Sequence, residues 1–483
     1  MNFFDYLFIG KEDLEKDLLL GPKTLSYKDL YNKSFLLSKK VVELNGSGQE
    51  IILISPNNEF FMIVYFAIIR SGNICVPLNP SIEKENLEYI IDQTGSQIIF
   101  MDDSVKGKFT LEESLQIFTH KDLSYEKYQS LPDIKQGIRE NDPAEIIYTS
   151  GSTGKPKGVM ISHRNLIANT ESIINYLPIQ SDDIILIVLP FYYCYGLSLL
   201  HTHIRKGASI VFNNSFFFLG KVIKDLSDYR CTSFAGVPSH FQLLLRKTKT
   251  FKEMEFPSLR YVTQAGGHLP SVFIDEFRNS FPHVSFYVMY GQTEATARLT
   301  FLPPDKYPEK KGSIGKAIPG VETKIVDRKD VEVKVNEEGE LIARGDNIMK
   351  AYYKDADETS KTIRNSWLYT GDLGYKDEEG YIFLTGRSKE MIKVRGNRIS
   401  PKEIEDIILK LPDVIDCTVF GLNDMVQGEA LVAKLVIDKN SKLDGKIVKE
   451  YCSRHLVSYK VPEKIELSSK IDVTSTGKKI RNI

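Results

Sequence analysis

Short apolar runs alternating with amphipathic stretches, as far as residue 290, restrict this chain's architecture more than any other feature. Residues 51–54, 74–78, 97–101, 184–189, 208–212, 232–235, 259–264 and 284–290 read as buried strands. Between them lie helical patterns over 25–44 (Leu30, Phe35, Leu36 and Val41 at helical spacing), up to Arg70 with Asn57 or Asn58 as cap, and over 83–94, 163–176, 220–228, 239–247 and 270–281. Such alternation requires mainly parallel sheets covered by helices on both faces. The fold class expected is therefore α/β. Beyond Gly312 short β runs with turns (321–327, 331–335, 339–343) predict a small β subdomain. A second, smaller α+β domain begins near Gly386. In it Ser400, Pro401 and Glu403 supply an N-cap, a first-turn proline and a capping-box acid, and Ile404, Ile407, Ile408 and Leu411 share one face. Residues 102–141 are polar and read as a connection between subdomains, and no internal repeat is evident.

Net charge is −1, with 63 basic and 64 acidic residues, which argues against a nucleic-acid or membrane-surface binder. The five cysteines (Cys75, Cys194, Cys231, Cys417, Cys452) are scattered without a C-x-x-C, as expected of reduced thiols in a cytoplasmic protein. The N-terminus lacks a basic region and carries Asp5, unlike a signal peptide. The apolar run 60–69 is about half of what spans a bilayer and reads as a core helix.

Residues 148–159 read Y-T-S-G-S-T-G-K-P-K-G-V. Glycines that let backbone N–H groups turn inward, hydroxyl donors and interleaved lysines are what a polyphosphate-holding loop needs. It is not a Walker A loop, because Thr149 and Pro156 stand where a glycine and a Ser or Thr are required. Three further strings end strands or turns: Q-A-G-G at 264–267, Y-G-Q-T-E at 290–294 and Y-T-G-D-L at 369–373. A strand-end carboxylate such as Glu294 can hold a divalent cation that bridges phosphates, and Asp372 can accept from two ribose hydroxyls. Taken singly, each string is also an ordinary polar turn.

Together and in order, these strings resemble the adenylate-forming (AMP-binding) superfamily of acyl- and aryl-CoA synthetases, stand-alone adenylation enzymes and luciferases. The resemblance extends over the stretch 67–80 and the C-terminal T-S-T-G-K-K-I-R. It implies a large N-terminal domain over 1–385, a hinge at 386–390 and a mobile C-terminal lid over 391–483. It assigns the nucleotide to Thr149, Ser150, Gly151, Ser152, Thr153, Gly154, Lys155, Gly266, Gly267, Tyr290, Gly291, Gln292, Asp372 and Arg387. Thr293, Glu294 and Lys478 become the catalytic group, with Glu294 also the Mg²⁺ ligand. Lys389 becomes the hinge residue, and Lys393, Gly396 and Arg398 serve the thioester step. Tyr193, Gly236 and Gly266 would line the acyl pocket. Tyr193 replaces a histidine common in relatives, Phe191 and Tyr192 read as core, and His163 and His201 as structural.

The implied chemistry is adenylation of a small-molecule carboxylic acid by ATP and Mg²⁺, then transfer to the pantetheine thiol of CoA. Two alternatives stay open: a ligase that loads a carrier protein's phosphopantetheine, and a non-catalytic nucleotide-binding protein of the same fold. The acyl group, the acceptor and the oligomeric state are not determined by these residues.

Overall fold

The helix Glu59–Arg70 shows how the first domain is layered. Its sequence has no polar face, and every residue from Phe60 onward is buried, as a helix apolar all round must be. Asn58 Oδ1 accepts from Phe61 N at 2.8 Å and caps its first turn. In this computed structural model, which describes residues 1–134, 137–149, 155–216, 218–394, 396–424 and 428–471, the helix shares one core with two sheets. Ile51, Leu53 and Cys75 face it from one sheet, and Ile185, Ile187 and Ile210 from the other.

The first of these sheets runs, edge to edge, Ala351–Tyr352, Lys157–Ser162, Pro143–Thr149, Ile74–Leu78, Glu50–Ile54, Ile98–Met101 and Gln116–Phe118. It is parallel from Pro143–Thr149 to Gln116–Phe118. The second runs Lys316–Ala317, Thr300–Leu302, Ser285–Tyr290, Tyr261–Gln264, Ser233–Gly236, Ile184–Ile187, Ser209–Phe212, Asp17–Leu20 and Leu25–Ser26. Its interior strands are parallel, with Gly236 paired to Gln264 and Gln264 to Val288. The loops that follow these three strands therefore emerge side by side, where parallel sheets bind ligands.

A third, antiparallel sheet follows: Val321–Val326, Gly339–Gly345, Trp367–Lys376 and Ile363–Arg364, with Ile382–Arg387 on Trp367–Lys376. A fourth belongs to the smaller C-terminal domain. It comprises the hairpin Ile392–Val394 and Asn397–Ile399, the long pair Val414–Asp424 and Gly428–Ile437, and Lys464–Ser468. The helices Pro401–Ile408 and Gly445–His455 contact each other and cover this sheet. The α/β class with a large mainly parallel domain, a β subdomain and a small α+β domain is as expected.

Several local readings differ. Residues 157–162 form a strand antiparallel to Pro143–Thr149, so the glycine-rich loop closes a hairpin before the helix His163–Tyr176 begins. Residues 102–141 do not join subdomains: Gln116–Phe118 pairs with Ile98–Met101 and extends the first sheet. Residues 331–335 form no full strand: after a turn in which Asp327 accepts from Lys329 N and Val331 N, Glu332 makes an isolated antiparallel bridge to Val326 and Val333 N donates to Ile325 O, while Val331 and Val335 are exposed. Pro401 does open its helix, but Ser400 makes no side-chain cap bond, and Glu403 is drawn off to Lys460 Nζ at 2.7 Å. No helix among the described residues is long and apolar enough to cross a membrane.

Candidate active site

The glycine-rich loop is anchored at both ends, while Ser150, Gly151, Ser152, Thr153 and Gly154 lie outside the described residues. Thr149 pairs with Lys157 across the hairpin. Lys155 Nζ stands 5.1 Å from the Tyr89 ring centre, and Lys157 Nζ is 2.7 Å from Glu358. Tyr353 N donates to Gly158 O at 2.7 Å. A Cβ on Gly158 would fall 2.7 Å from Ile146 Cγ2, so only glycine allows this close packing.

The turn after Tyr290 is strained. A Cβ on Gly291 would lie 1.9 Å from Ala297 O, and Thr296 and Ala297 adopt φ of 60° and 152°. Such backbone costs roughly 1–3 kcal/mol per residue and persists only where neighbours enforce it. Asn347 does so: its carbonyl accepts from Thr296 Oγ1 at 2.6 Å, and its Nδ2 donates to Arg298 O at 2.7 Å. Thr293 is buried with Oγ1 3.5 Å from Cys194 Sγ. Glu294 Oε1 accepts from Tyr352 Oη at 2.8 Å. Gln292 Nε2 is buried with no hydrogen-bond partner among the described residues, an orphan donor open to an acceptor.

Asp372 lies beside this turn and is buried. It pairs with Arg387 across the strands Trp367–Lys376 and Ile382–Arg387. Its Oδ2 accepts from Tyr290 Oη at 2.6 Å and its Oδ1 from Arg387 Nε at 2.9 Å. Burial, then the Asp372 charge, pushes the Tyr290 hydroxyl well above its ordinary range, so it stays protonated and donates. The same carboxylate raises the half-exposed Arg387. Each carboxylate oxygen has a second lone pair to offer to a ribose hydroxyl. Gly371, at φ 75°, turns the strand here, and its N–H donates to Glu340 Oε1 at 2.9 Å.

On the other side of the crevice, a Cβ on Gly266 (φ 84°) would lie 3.1 Å from Val237 Cγ1 and 3.7 Å from Tyr193 Oη. Gly236, paired with Gln264, abuts Phe241 and His240. Gly267 O accepts from Gln264 Nε2 at 2.8 Å. Tyr193, Gly236, Gly266 and Gly267 thus cluster at the ends of two neighbouring strands. Tyr193 precedes the helix Cys194–Lys206, whose tight entry needs Gly196: a Cβ there would be 2.1 Å from Pro190 O. Phe191 is buried, whereas Tyr192 is only half-buried, since the turn leading into the helix lifts it from the core. His163 Nδ1 accepts from Phe3 N at 3.1 Å, and His201 Nε2 stands 2.9 Å from Tyr65 Oη. Burial lowers both imidazoles, to about 4 and about 3, so they are neutral structural groups.

The remaining expected residues are not drawn into this cluster. Lys389, Lys393, Gly396 and Arg398 are exposed on the hairpin side of the small domain. Among the described residues, no hydrogen bond or ion pair joins Lys393 or Arg398 to the nucleotide side. Lys478 lies outside the described residues. The small domain instead reaches the crevice through His268, next to Gly267, whose Nε2 is 2.8 Å from Asp406 Oδ1. Sequence reasoning missed His268, Tyr352 and Arg298, isolated residues without a motif.

Two models of protein families match this chain: AMP-binding enzyme over residues 12–353 and AMP-binding enzyme C-terminal domain over residues 403–478. The chain belongs to the AMP-binding enzyme family. This AMP-binding enzyme is 27% identical to an oxalate–CoA ligase of Arabidopsis thaliana, over 90% of this chain and 88% of that protein. It is 30% identical to a long-chain-fatty-acid–CoA ligase of Escherichia coli O157:H7, over 90% of this chain and 84% of that protein. It is also similar to the solved o-succinylbenzoate CoA synthetase of Bacillus subtilis in complex with ATP and magnesium ion. There the TM-score is 0.85 and the identity 25%, over 99% of this chain and 98% of that one.

The residues present fit ATP and Mg²⁺. The AMP-binding enzyme offers an orphan donor in Gln292, a buried acid in Asp372 and, in Glu294, a carboxylate with one oxygen committed to Tyr352. One carboxylate with the nucleotide's own oxygens is the usual way Mg²⁺ is held.

Proposed function

We infer that this AMP-binding enzyme is an AMP-forming acid–thiol ligase, joining a small carboxylic acid to CoA through an acyl-adenylate. The observation that carries this reading is the Asp372–Tyr290–Arg387 cluster beside the turn bearing Thr293 and Glu294. That arrangement has a ribose acceptor, a phosphate-side hydroxyl and a metal-side carboxylate on two adjoining segments.

Carboxylates are poor electrophiles, and attack of the acid's oxygen on the α-phosphorus, with loss of pyrophosphate, activates the carbon. Asp372 orients the ribose, with Tyr290 and Arg387 holding its carboxylate. Thr293 donates towards the α-phosphate, and the loop 150–155 holds the departing phosphates. Glu294 would hold Mg²⁺, which supplies charge neutralisation on the phosphate oxygens. Lys478 would steady the attacking oxygen. In the second half-reaction the small domain, 391–483, turns about the hinge 386–390 at Lys389 and brings Lys393, Gly396 and Arg398 to the thiol's approach. The thiolate attacks the acyl carbon and AMP leaves. The five cysteines are buried and form no disulfide, which suits a reducing compartment, and we place the enzyme in the cytoplasm.

The named relatives span acids as different as oxalate and long-chain fatty acids, so they do not choose the acid. Carboxylate-dependent ATP–pyrophosphate exchange over short, aromatic, hydroxy, amino and dicarboxylic acids, followed by addition of CoA, tests the reading. Exchange and thioester with CoA alone are expected. Exchange without CoA turnover moves the acceptor to a carrier protein. No exchange from folded, ATP-binding protein overturns the ligase reading.

A further inference from the structure

Arg298 is among the largest fully buried side chains of the chain, at 2% exposure. A guanidinium does not deprotonate in proteins, so this is a buried positive charge. Among the described residues it forms no ion pair. Its Nη1 donates to the adjacent Ala297 carbonyl at 3.2 Å, the guanidinium also donates to the neutral Tyr176 hydroxyl, and its Nε has no partner. Its main neighbour is the Tyr195 ring, whose centre is 4.1 Å from Cζ. Tyr176, stacked on Phe301 at 4.0 Å, closes another side.

An uncompensated buried ion is costly, and a cation–π contact returns only part of that cost. A methionine or leucine would fill the same space without that cost. The arrangement makes physical sense if the missing anion arrives with a ligand.

The location says which ligand. Tyr195 Oη contacts Thr263 Oγ1 at 2.9 Å, three residues before Gly266. Cys194, next in the chain, contacts Thr293, and the Arg298 backbone packs against Gly291. The guanidinium thus lies against Tyr195 and Tyr176, and through Tyr195 and its own backbone it adjoins the expected acyl-side segments 193–195, 263–266 and 291–293. The ribose cluster around Asp372 has its own cation in Arg387, and the phosphates have Lys155 and the glycine-rich loop. The carboxylate that reacts loses its charge on adenylation and belongs near Thr293. We propose that Arg298 is the specificity residue of the acyl pocket and pairs with a second anionic group, a distal carboxylate, on the acid. The substrate class is then a small dicarboxylic acid. This assignment rests on the ligase reading above and deepens it.

The test is ATP–pyrophosphate exchange by the full chain with length-matched pairs: malonate and propionate, succinate and butyrate, glutarate and valerate, phthalate and benzoate. The unaltered enzyme is expected to prefer one diacid over its matched monoacid by at least tenfold in kcat/KM. Arg298→Met should raise KM for that diacid on the order of a hundredfold, the usual loss when one partner of a buried pair is removed, and bring the diacid-to-monoacid ratio close to one. Arg298→Lys should recover part of the preference. Melting temperatures of the variants, with and without ATP, separate a pocket effect from misfolding, and the preference of the unaltered enzyme needs no variant at all. If monoacids are used as well as diacids, the Arg298 assignment is wrong while the ligase reading stands. If no acid supports exchange, the ligase reading falls and takes this assignment with it.

Discussion

Gly291 is where a single methyl group should do the most damage. Its Cβ would strike Ala297 O at 1.9 Å and approach Arg298 Cα at 2.8 Å. Both obstacles are backbone in an already strained turn, so the chain itself must move. Gly291→Ala is expected to cost about 1–3 kcal/mol of stability, as overpacking does, and to lower pyrophosphate exchange at least tenfold by displacing Thr293 and Glu294; thermal melting and exchange kinetics measure the two effects. Lys478→Ala, by contrast, should leave melting unchanged and cut exchange on the order of a hundredfold or more, the value of a cation at developing charge. Full exchange in that variant would remove Lys478 from the mechanism. Tyr290, Gly291 and Asp372 were legible in the sequence because each sits in a compact string with a known chemical use, and Arg387 was expected only through the resemblance. Tyr352, which orients Glu294, and Arg298 were not. Each is one residue in an unremarkable stretch, brought to the site only by contacts across the fold, such as the 2.8 Å bond from Tyr352 to a carboxylate 58 residues away.

At the level of elements, the strand Pro143–Thr149 carries the glycine-rich loop and also a buried acid. Glu145 is 1% exposed, accepts from Tyr65 Oη at 2.7 Å, and is flanked by Cys75 and, through Tyr65, by the neutral His201. Desolvation, only partly offset by the Tyr65 bond, raises its carboxyl to about 7 from the ordinary 4.5. The folded chain therefore binds a proton that the unfolded chain has lost between these values. The sign follows: the Glu145 contribution is fully present below about pH 4.5 and is lost as pH rises through about 7. Its full size is roughly 3 kcal/mol. His163, His201, His203 and His240 are lowered by burial and act in the opposite direction at acid pH. The measurement is thus a difference: urea unfolding of the unaltered protein and of Glu145→Gln between pH 5 and pH 8. The variant should gain relative stability as pH rises and plateau above about pH 7; a constant difference would place Glu145's carboxyl in its ordinary range. Three parallel strands of this layer, 51–54, 74–78 and 97–101, were legible because their apolar runs are bounded by turn residues, whereas Pro143–Thr149 and Gln116–Phe118 were not read as strands. The strand Lys157–Ser162 was not, because it begins in the lysine-and-glycine loop and has only Val159, Met160 and Ile161 as an apolar signal.

The small domain is held in place by an apolar cluster it shares with the large domain and by a few polar contacts. Arg246 Nη1 donates to Leu409 O at 3.0 Å and Leu411 O at 3.2 Å, Gln242 Nε2 reaches Asp416 at 3.2 Å, and His268 meets Asp406. These contacts would have to break for the domain to turn, while the strand Ile382–Arg387 stays with the nucleotide cluster through Arg387 and Asp372. The change in backbone direction must then fall between Arg387 and the hairpin that starts at Ile392. Lys389 lies in the middle of that interval and is exposed, so replacing it removes no packing. Proline there locks φ near −65° and removes one N–H, which restricts rotation without touching the ribose cluster. Lys389→Pro should keep pyrophosphate exchange within about twofold and lower CoA thioester formation a hundredfold or more, since a hinge residue absorbs the φ/ψ change that the second half-reaction requires. Single-turnover transfer from preformed acyl-adenylate isolates that step. If Lys389→Pro impaired exchange and transfer equally, the two half-reactions would share one domain arrangement, and the hinge would have to be sought outside 386–390.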